Sequence, residues 1–404
     1  MYTNEIDTIK HQLINEYAGY QDKKSLIDNF PKYTRYKNSN EFYFHMTKYL
    51  NKFQDPHLKI HNTKSLHPNI RVQLFENHLY IIDSKNQNLP TGTLIKMLGK
   101  STVEEVLNKD KDLLKSSNPE RMDWTDVLKK YEYVTTGNQI ISILQKDNPN
   151  FFDQSYQIEE RKTYLYIRFS DFLDHTKISR LIKQNKNLIL NANQIIIDVR
   201  GNRGGSDLAF FELLPLLINN DITIKNEFPY YHRFTKAYCD ERLEVLSEII
   251  NQISDSKEID EYKTFSKLFK DNYDKGLVNI NYEQETKVIK GINNALPNVK
   301  VLCDFECGSS GESFVEIVQR FTNIEVIGRP TRGMNDYSNV MIINLNDNFI
   351  LSVPHSKDGR IDTGKSMAKN GISVNYYVPW TPKELNEDVI LNIAINQLSN
   401  INQN

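Results

Sequence analysis

The chain has 404 residues, 39% of them hydrophobic and 25% charged, enough to bury a sizeable core in two or three packed units. Its 50 basic and 52 acidic side chains leave a formal charge of -2, so no overall field favours nucleic acid or an anionic membrane. The three cysteines, Cys239, Cys303 and Cys307, make no disulfide framework and lack the paired spacing of a zinc site, so structural thiols are expected.

Residues 1–64 read as a small helical unit. Helical periodicity runs through "EIDTIKHQLINEYAGY" and again through "SNEFYFHMTKYLNKF", and the unit ends in "QDPHLKIHN", where Pro56 breaks the helix just before His57. The amino-terminal stretch has no basic region followed by an apolar core, and no later stretch reaches the roughly 18 apolar residues of a membrane span. The chain as given is therefore expected to have no membrane span and to be cytoplasmic, or exported if a leader was removed.

Residues 65–150 change character. "NIRVQLFENHLYIID" alternates like a hairpin with a Glu-Asn turn, and "LPTGTLIKMLGKSTVEEVL" reads as strand, turn and helix, so a small β-rich module is expected. Over 151–404 strands and helices alternate. Strands are expected at "TYLYIRF", "QIIIDV", "VKVLCDF", "IEVIG", "VMIINL" and "FILSVP", and helices at "HTKISRLIKQNKNLIL", "DLAFFELLPLLI" and "ESFVEIVQRF". Continuous apolar strands between helices point to a sheet covered on both faces, hence an α/β core. A polar helical insertion at about 228–296 interrupts it.

Three distant segments carry the residue types that acyl transfer needs. In "IIIDVRGNRGGSD" a buried strand runs into Gly201, Gly204 and Gly205, where the backbone can bend so that N–H groups point into a cavity, as an oxyanion or phosphate cradle requires. The segment has neither the Lys-Ser/Thr of a Walker loop nor the dinucleotide spacing, which disfavours nucleotide binding. In "CDFECGSSGESFVEIVQRF", Ser309 and Ser310 stand at a helix N-terminus, where the dipole favours developing negative charge. The blander reading of either serine is a helix cap. In "DPHLK", His57 supplies an imidazole whose ordinary pKa suits a general base at neutral pH. Cys307 is read as a buried structural thiol and Glu312 as a carboxylate favoured by the helix dipole. Asp198 and Arg200 are read as braces of the glycine turn.

These motifs together resemble the C-terminal processing, or tail-specific, serine proteases, a family that includes the tricorn core and the retinoid-binding repeats of the eye. The resemblance rests on Asp198, Arg200, Gly201, Asn202, Gly204 and Gly205, on Ser309, Ser310, Gly311 and Glu312, and on Gly328, Pro330, Thr331 and Gly333. It covers about half the chain, from near Tyr164 to Val378. It implies a crotonase-like or ClpP-like α/β core preceded by a helical unit and often by a PDZ-like module, of which only a short part, "LPTGTLIKMLGKSTVEEVL", is visible here. It also implies Ser309 as nucleophile, with oxyanion N–H groups from Ser310 and from the Gly204 and Gly205 turn, and no metal or cofactor.

One departure redirects the choice of base. In the Ser-Lys branch a lysine follows the Thr-x-Gly turn, but "PTRGMND" has Met334 there, and Arg332 is permanently charged. The tricorn-like branch takes a histidine from an Asp-x-His segment, matched by Asp55 and His57. Its glutamate position holds Ala368, which leaves Asp362 as the tentative acid and Asp358 after it, with a water or a backbone carbonyl as the other ways to orient His57. The expected activity is a serine endopeptidase acting on unstructured polypeptides or peptides. The alternatives are a peptide- or ligand-binding protein that keeps the fold without the reaction, and a hydrolase of small esters or amides.

Overall fold

The computed structural model describes residues 2–31, 35–152, 154–225, 227–252, 256–280 and 287–401. Its compact units are not consecutive in sequence. The first comprises Met1–Lys64, Asn226–Glu285 and Asn335–Ser366, and the second comprises Ser65–Lys225, Thr286–Met334 and Met367–Asn404. The amino-terminal helices therefore do not form a core alone, because the strand Lys59–Asn62 finds its partner nearly 300 residues later.

In the first unit, Lys59–Asn62 pairs with Phe349–Asp358, which also pairs with Tyr230–Phe234 and with Tyr337–Asn346, all antiparallel. The helices Thr3–Asn15 and Ser39–Asn51 close over this sheet through Ile9, Leu13, Phe42 and Met46, packed with Phe349, Leu351 and Val353. The polar helical segment of this unit is two helices, Lys236–Gln252 and Ser256–Asp271. It buries Tyr238, Cys239 and Phe269 against Phe234 and Met341.

The second unit holds the α/β core, but without the expected strands "VMIINL" and "FILSVP", which the fold places in the first unit as parts of Tyr337–Asn346 and Phe349–Asp358. The six-stranded sheet of the core runs in the order Tyr156–Glu160, Leu165–Phe169, Gln194–Asp198, Asn298–Cys303, Ile324–Gly328, Tyr376–Tyr377, parallel except for the first pair. Both faces are covered, which is why its central strands are apolar without alternation. Ile195, Ile197, Val299 and Val301 pack with Phe314, Val315 and Val318 of the helix Ser310–Val318. Ile196, Leu302 and Ile327 pack on the other side with Ile390, Ala394 and Leu398 of the helix Val389–Ile401.

Two expected helices are shorter than their periodicity suggests. "DLAFFELLPLLI" makes one turn at Leu208–Phe211 and then a 3-10 turn at Leu214–Leu217, because Pro215 cannot donate within a helix. "HTKISRLIKQNKNLIL" divides at Asn185, whose side chain bonds back to the Leu181 carbonyl. Residues 65–150 are β-rich as expected. The hairpin Ile70–Phe75 and His78–Ser84 turns at Glu76 and Asn77, both with positive φ (45° and 64°), the conformation that a two-residue turn with the strand's own twist requires. Among the described residues no helix is long and apolar enough to cross a membrane.

Candidate active site

The site residues of the second unit are gathered where two parallel strands end. Strand Gln194–Asp198 runs into the glycine turn and strand Asn298–Cys303 into the serine turn, so neighbouring strand ends carry both segments. Asp198 braces the first turn as the sequence suggested. It accepts from Arg200 (Nε 3.0 Å, Nη2 2.6 Å), from Arg168 Nη1 at 2.9 Å and from the Tyr166 hydroxyl at 2.8 Å. Burial alone would raise its carboxyl, but the charge and hydrogen bonds of Arg200, then Arg168 and Tyr166, hold it at about 2. The two turns are stitched by main-chain bonds, Gly308 N–H to Asn202 O at 2.9 Å and Gly201 N–H to Asp304 Oδ1 at 2.9 Å.

Ser309 precedes the helix with φ 54° and ψ −124°, a backbone conformation that side chains other than glycine seldom adopt, and its hydroxyl makes no capping bond to the helix. The helix-cap reading of Ser309 therefore fails. Gly311, Glu312 and Ser313 N–H donate to Gly308 O and Ser309 O, whereas Ser310 N–H has no acceptor among the described residues. The Ser310 hydroxyl is spent on Gly205 O at 2.8 Å.

The glycine turn presses directly on this serine. A Cβ on Gly204 (φ +97°) would stand 2.6 Å from Ser309 Cβ and 2.9 Å from Ser310 N, so only glycine permits the approach. Of the two glycines, Gly204 donates its N–H to Asn202 Oδ1 at 2.9 Å. Gly205 N–H donates to none of the described residues, while its neighbours pair with Phe172. Ser309, Ser310, Gly204 and Gly205 are thus brought together, and the Gly205 and Ser310 N–H groups have no acceptor among the described residues.

Glu312 does more than complement the helix dipole. Fully buried, it accepts from the Thr331 hydroxyl at 2.6 Å, from Met334 N–H at 2.6 Å and from Gly333 N–H. Burial pushes its carboxyl up, opposed by these donors and by the charge of Arg121. Cys307 is fully buried, and contact with Cys303 together with burial pushes its thiol well up, in keeping with a structural thiol.

Sequence reasoning missed a charged network around Glu306. That carboxylate takes Arg332 at 2.9 Å, Arg203 at 2.8 Å and Arg71 at 3.1 Å, and these arginines outweigh burial to hold it at about 2. Arg332 also pairs with Asp123 at 3.0 Å, which binds Lys115 at 2.8 Å. The only sequence signal was a carboxylate three residues before Ser309 and an arginine in the Thr-x-Gly turn. Nothing marked their partners in the β-rich segment.

His57 lies in the first unit, in the turn after the helix Ser39–Asn51. Asp55 Oδ1 accepts His57 N–H at 2.9 Å, and the ring Nδ1 is 2.7 Å from Tyr337 O. A carbonyl can only accept, so Nδ1 carries the proton and, in the neutral ring, the basic lone pair is on Nε2. The group on Nδ1 is thus a backbone carbonyl. Asp362 is instead engaged by Lys357 Nζ at 2.7 Å with its side chain 47% exposed, and Asp358 accepts from Arg360 N–H and Nε. Lys357 also binds Asp22 at 2.8 Å, and Asp22 accepts the Tyr337 hydroxyl at 3.0 Å, so the residue whose carbonyl holds His57 is anchored at its other end.

Asp55 itself is buried and has one oxygen, Oδ2, without an ordinary hydrogen bond among the described residues. Burial pushes its carboxyl up to about 7. Between the ordinary carboxylate value of 3.8 and about 7 the folded chain then holds a proton that the unfolded chain has lost. Stability contributed by Asp55 therefore falls as pH rises through that window and is level above it, with a slope of at most about 1.4 kcal/mol per pH unit. Asn at this position keeps the oxygen that caps His57 N–H, so urea denaturation across pH 4 to 8 should show this slope in the wild type and not in Asp55→Asn. Equal slopes would refute it.

The sequence of residues 163–378, more than half of the chain, matches the model of peptidase family S41. No curated protein sequence matches this chain. Among solved structures, mature CPAF superposes with a TM-score of 0.64 at 12% identity, covering 98% of each chain. Mature CPAF complexed with lactacystin does so at 0.60 and 11%, covering 99% of this chain and 98% of the other. At these identities the likeness is one of fold.

Proposed function

Because the chain belongs to peptidase family S41 and is a serine-type peptidase, we propose that it is an endopeptidase of unstructured polypeptides or peptides, with Ser309 as nucleophile and His57 as general base. The observation that carries this reading is the serine turn. A serine that makes no capping bond to its helix holds a strained conformation at the helix N-terminus, beside two N–H groups with no acceptor among the described residues. Such donors, aimed where an oxyanion forms, are worth about 10²- to 10³-fold in rate each.

In this reading Ser309 Oγ attacks the scissile carbonyl carbon while His57 Nε2 takes its proton, and Gly205 and Ser310 N–H bind the oxyanion. The C–N bond breaks as His57 returns the proton to the leaving amine. Water then attacks the acyl ester, gives a proton to His57, and the acid product leaves as Ser309 regains it. The Tyr337 carbonyl keeps the ring in the Nδ1–H tautomer, the part that Asp362 was expected to play. Met334 in place of a lysine and the Asp55–His57 pair favour the tricorn-like branch of the family, and the β-rich segment of residues 65–150 is read as its PDZ-like module.

The test is labelling by a fluorophosphonate together with mass spectrometry of a mixed peptide library after incubation with wild type and His57→Ala. The expected result is a single adduct on Ser309 and internal cleavages, both lost in His57→Ala. An adduct elsewhere, or undiminished cleavage by His57→Ala, refutes the assignment. Turnover of small esters without any peptide cleavage would make this a small-molecule hydrolase, and neither labelling nor cleavage would leave a binding protein.

A further inference from the structure

The segment Thr331–Met334 lies against the serine turn. Arg332 N–H donates to Cys307 O at 2.7 Å, and a Cβ on Gly308 would be 2.6 Å from Met334 Sδ. Whatever orients the peptides of this segment therefore sets the floor of the turn that presents Ser309. Two charged groups orient them, one through their N–H groups and one through their carbonyls. Glu312 takes the N–H groups of Gly333 and Met334, and Arg121 takes the carbonyls, Nη1 to Thr331 O at 2.7 Å and Nη2 to Arg332 O at 2.8 Å.

Arg121 belongs to the β-rich segment, in the 3-10 turn Pro119–Arg121, and only 9% of it is exposed. Its guanidinium lies over the Phe305 ring at 5.2 Å, in the same serine-bearing loop. Burying a guanidinium on two main-chain carbonyls, with no carboxylate bonded to it among the described residues, is a costly way to fill space, and an apolar side chain would do so more cheaply. What a planar fork adds is direction, since two parallel N–H groups fix two carbonyls at once. Burial pulls the Arg121 pKa down and the Glu312 charge opposes that pull, so the groups that clamp the segment also steady each other.

We infer that Arg121 is a positioning residue for the peptidase reaction, which holds the Thr331–Met334 segment and through it the Ser309–Ser310 turn without touching substrate. This rests on Ser309 being the nucleophile. The neighbouring Glu120 provides an internal control, because from the same turn it holds other groups, the Tyr377 hydroxyl and Trp380 N–H.

The test follows fluorophosphonate labelling of Ser309 and steady-state peptide hydrolysis in wild type, Arg121→Met, Arg121→Lys, Arg121→Ala and Glu120→Gln. Arg121→Met should lower kcat and the labelling rate about 10- to 100-fold with KM within about twofold, the signature of a misplaced nucleophile. Arg121→Lys should fall between, and Glu120→Gln should stay near wild type. Should Arg121→Met not fold, millimolar guanidinium added to Arg121→Ala decides, with recovery of at least about tenfold expected. Unchanged kcat in a folded Arg121→Met, or no recovery by guanidinium, overturns the inference. A wild type that is neither labelled nor active overturns the nucleophile assignment itself, whereas labelled wild type with equally labelled variants overturns only the role of Arg121.

Discussion

Alanine in place of Ser309 is expected to reduce peptide hydrolysis by about 10⁴- to 10⁶-fold, the loss when a nucleophile is removed and only the oxyanion donors and binding remain. Stability should respond differently to alanine and to glycine. Ser309 holds φ 54° and ψ −124°, a conformation costing a residue with a Cβ about 1–3 kcal/mol, and alanine keeps that Cβ. Glycine removes the cost, offset by about 0.5–1 kcal/mol from its freer unfolded chain. Ser309→Gly should therefore be inactive yet more stable than Ser309→Ala by about 1 kcal/mol in urea denaturation. Near-wild-type hydrolysis by either variant would remove Ser309 from the mechanism. Equal stability of the two would show that the backbone there stores no strain.

Glu312→Ala should cost about 3–5 kcal/mol of stability and most of the activity. The carboxylate is fully buried with three donors on it, from Thr331, Gly333 and Met334. Its removal leaves all three buried without an acceptor, each worth about 1–3 kcal/mol before relaxation. Glu312→Gln keeps one acceptor oxygen but sets an NH₂ group against a main-chain N–H, so a smaller loss of about 1–3 kcal/mol is expected. The order wild type, Gln, Ala in both urea midpoint and kcat is the expected result. An alanine variant within 1 kcal/mol of wild type would mean that the Thr331–Met334 segment is held without Glu312.

Much of the core could be read directly. Strands such as Gln194–Asp198 and Asn298–Cys303 announce burial on both faces by their unbroken apolar runs, and the glycine and serine turns follow them at once. The same local logic overreached where one residue overrides periodicity, as Pro215 does in its helix. The orienting group on His57 could be named in the sequence only as a class, since a backbone carbonyl was one of the open choices beside Asp362, Asp358 and a water. A carbonyl such as that of Tyr337 has no side-chain signature, so which residue supplies it depends on the fold, and the fold commits Asp362 to Lys357.

The sequence by itself determined what is local: which segments are strands, where the backbone must be glycine, and that a serine at a helix N-terminus follows a strand end. Tertiary structure alone decided which distant groups meet. It joined Lys59–Asn62 to Phe349–Asp358 in one unit, spent Gly204 N–H on Asn202, and placed Arg121 on the carbonyls beside the serine turn. Conformational preference acts over a few residues and leaves a pattern in the chain. Burial and hydrogen-bond satisfaction are settled only after the chain has closed on itself, and they leave none.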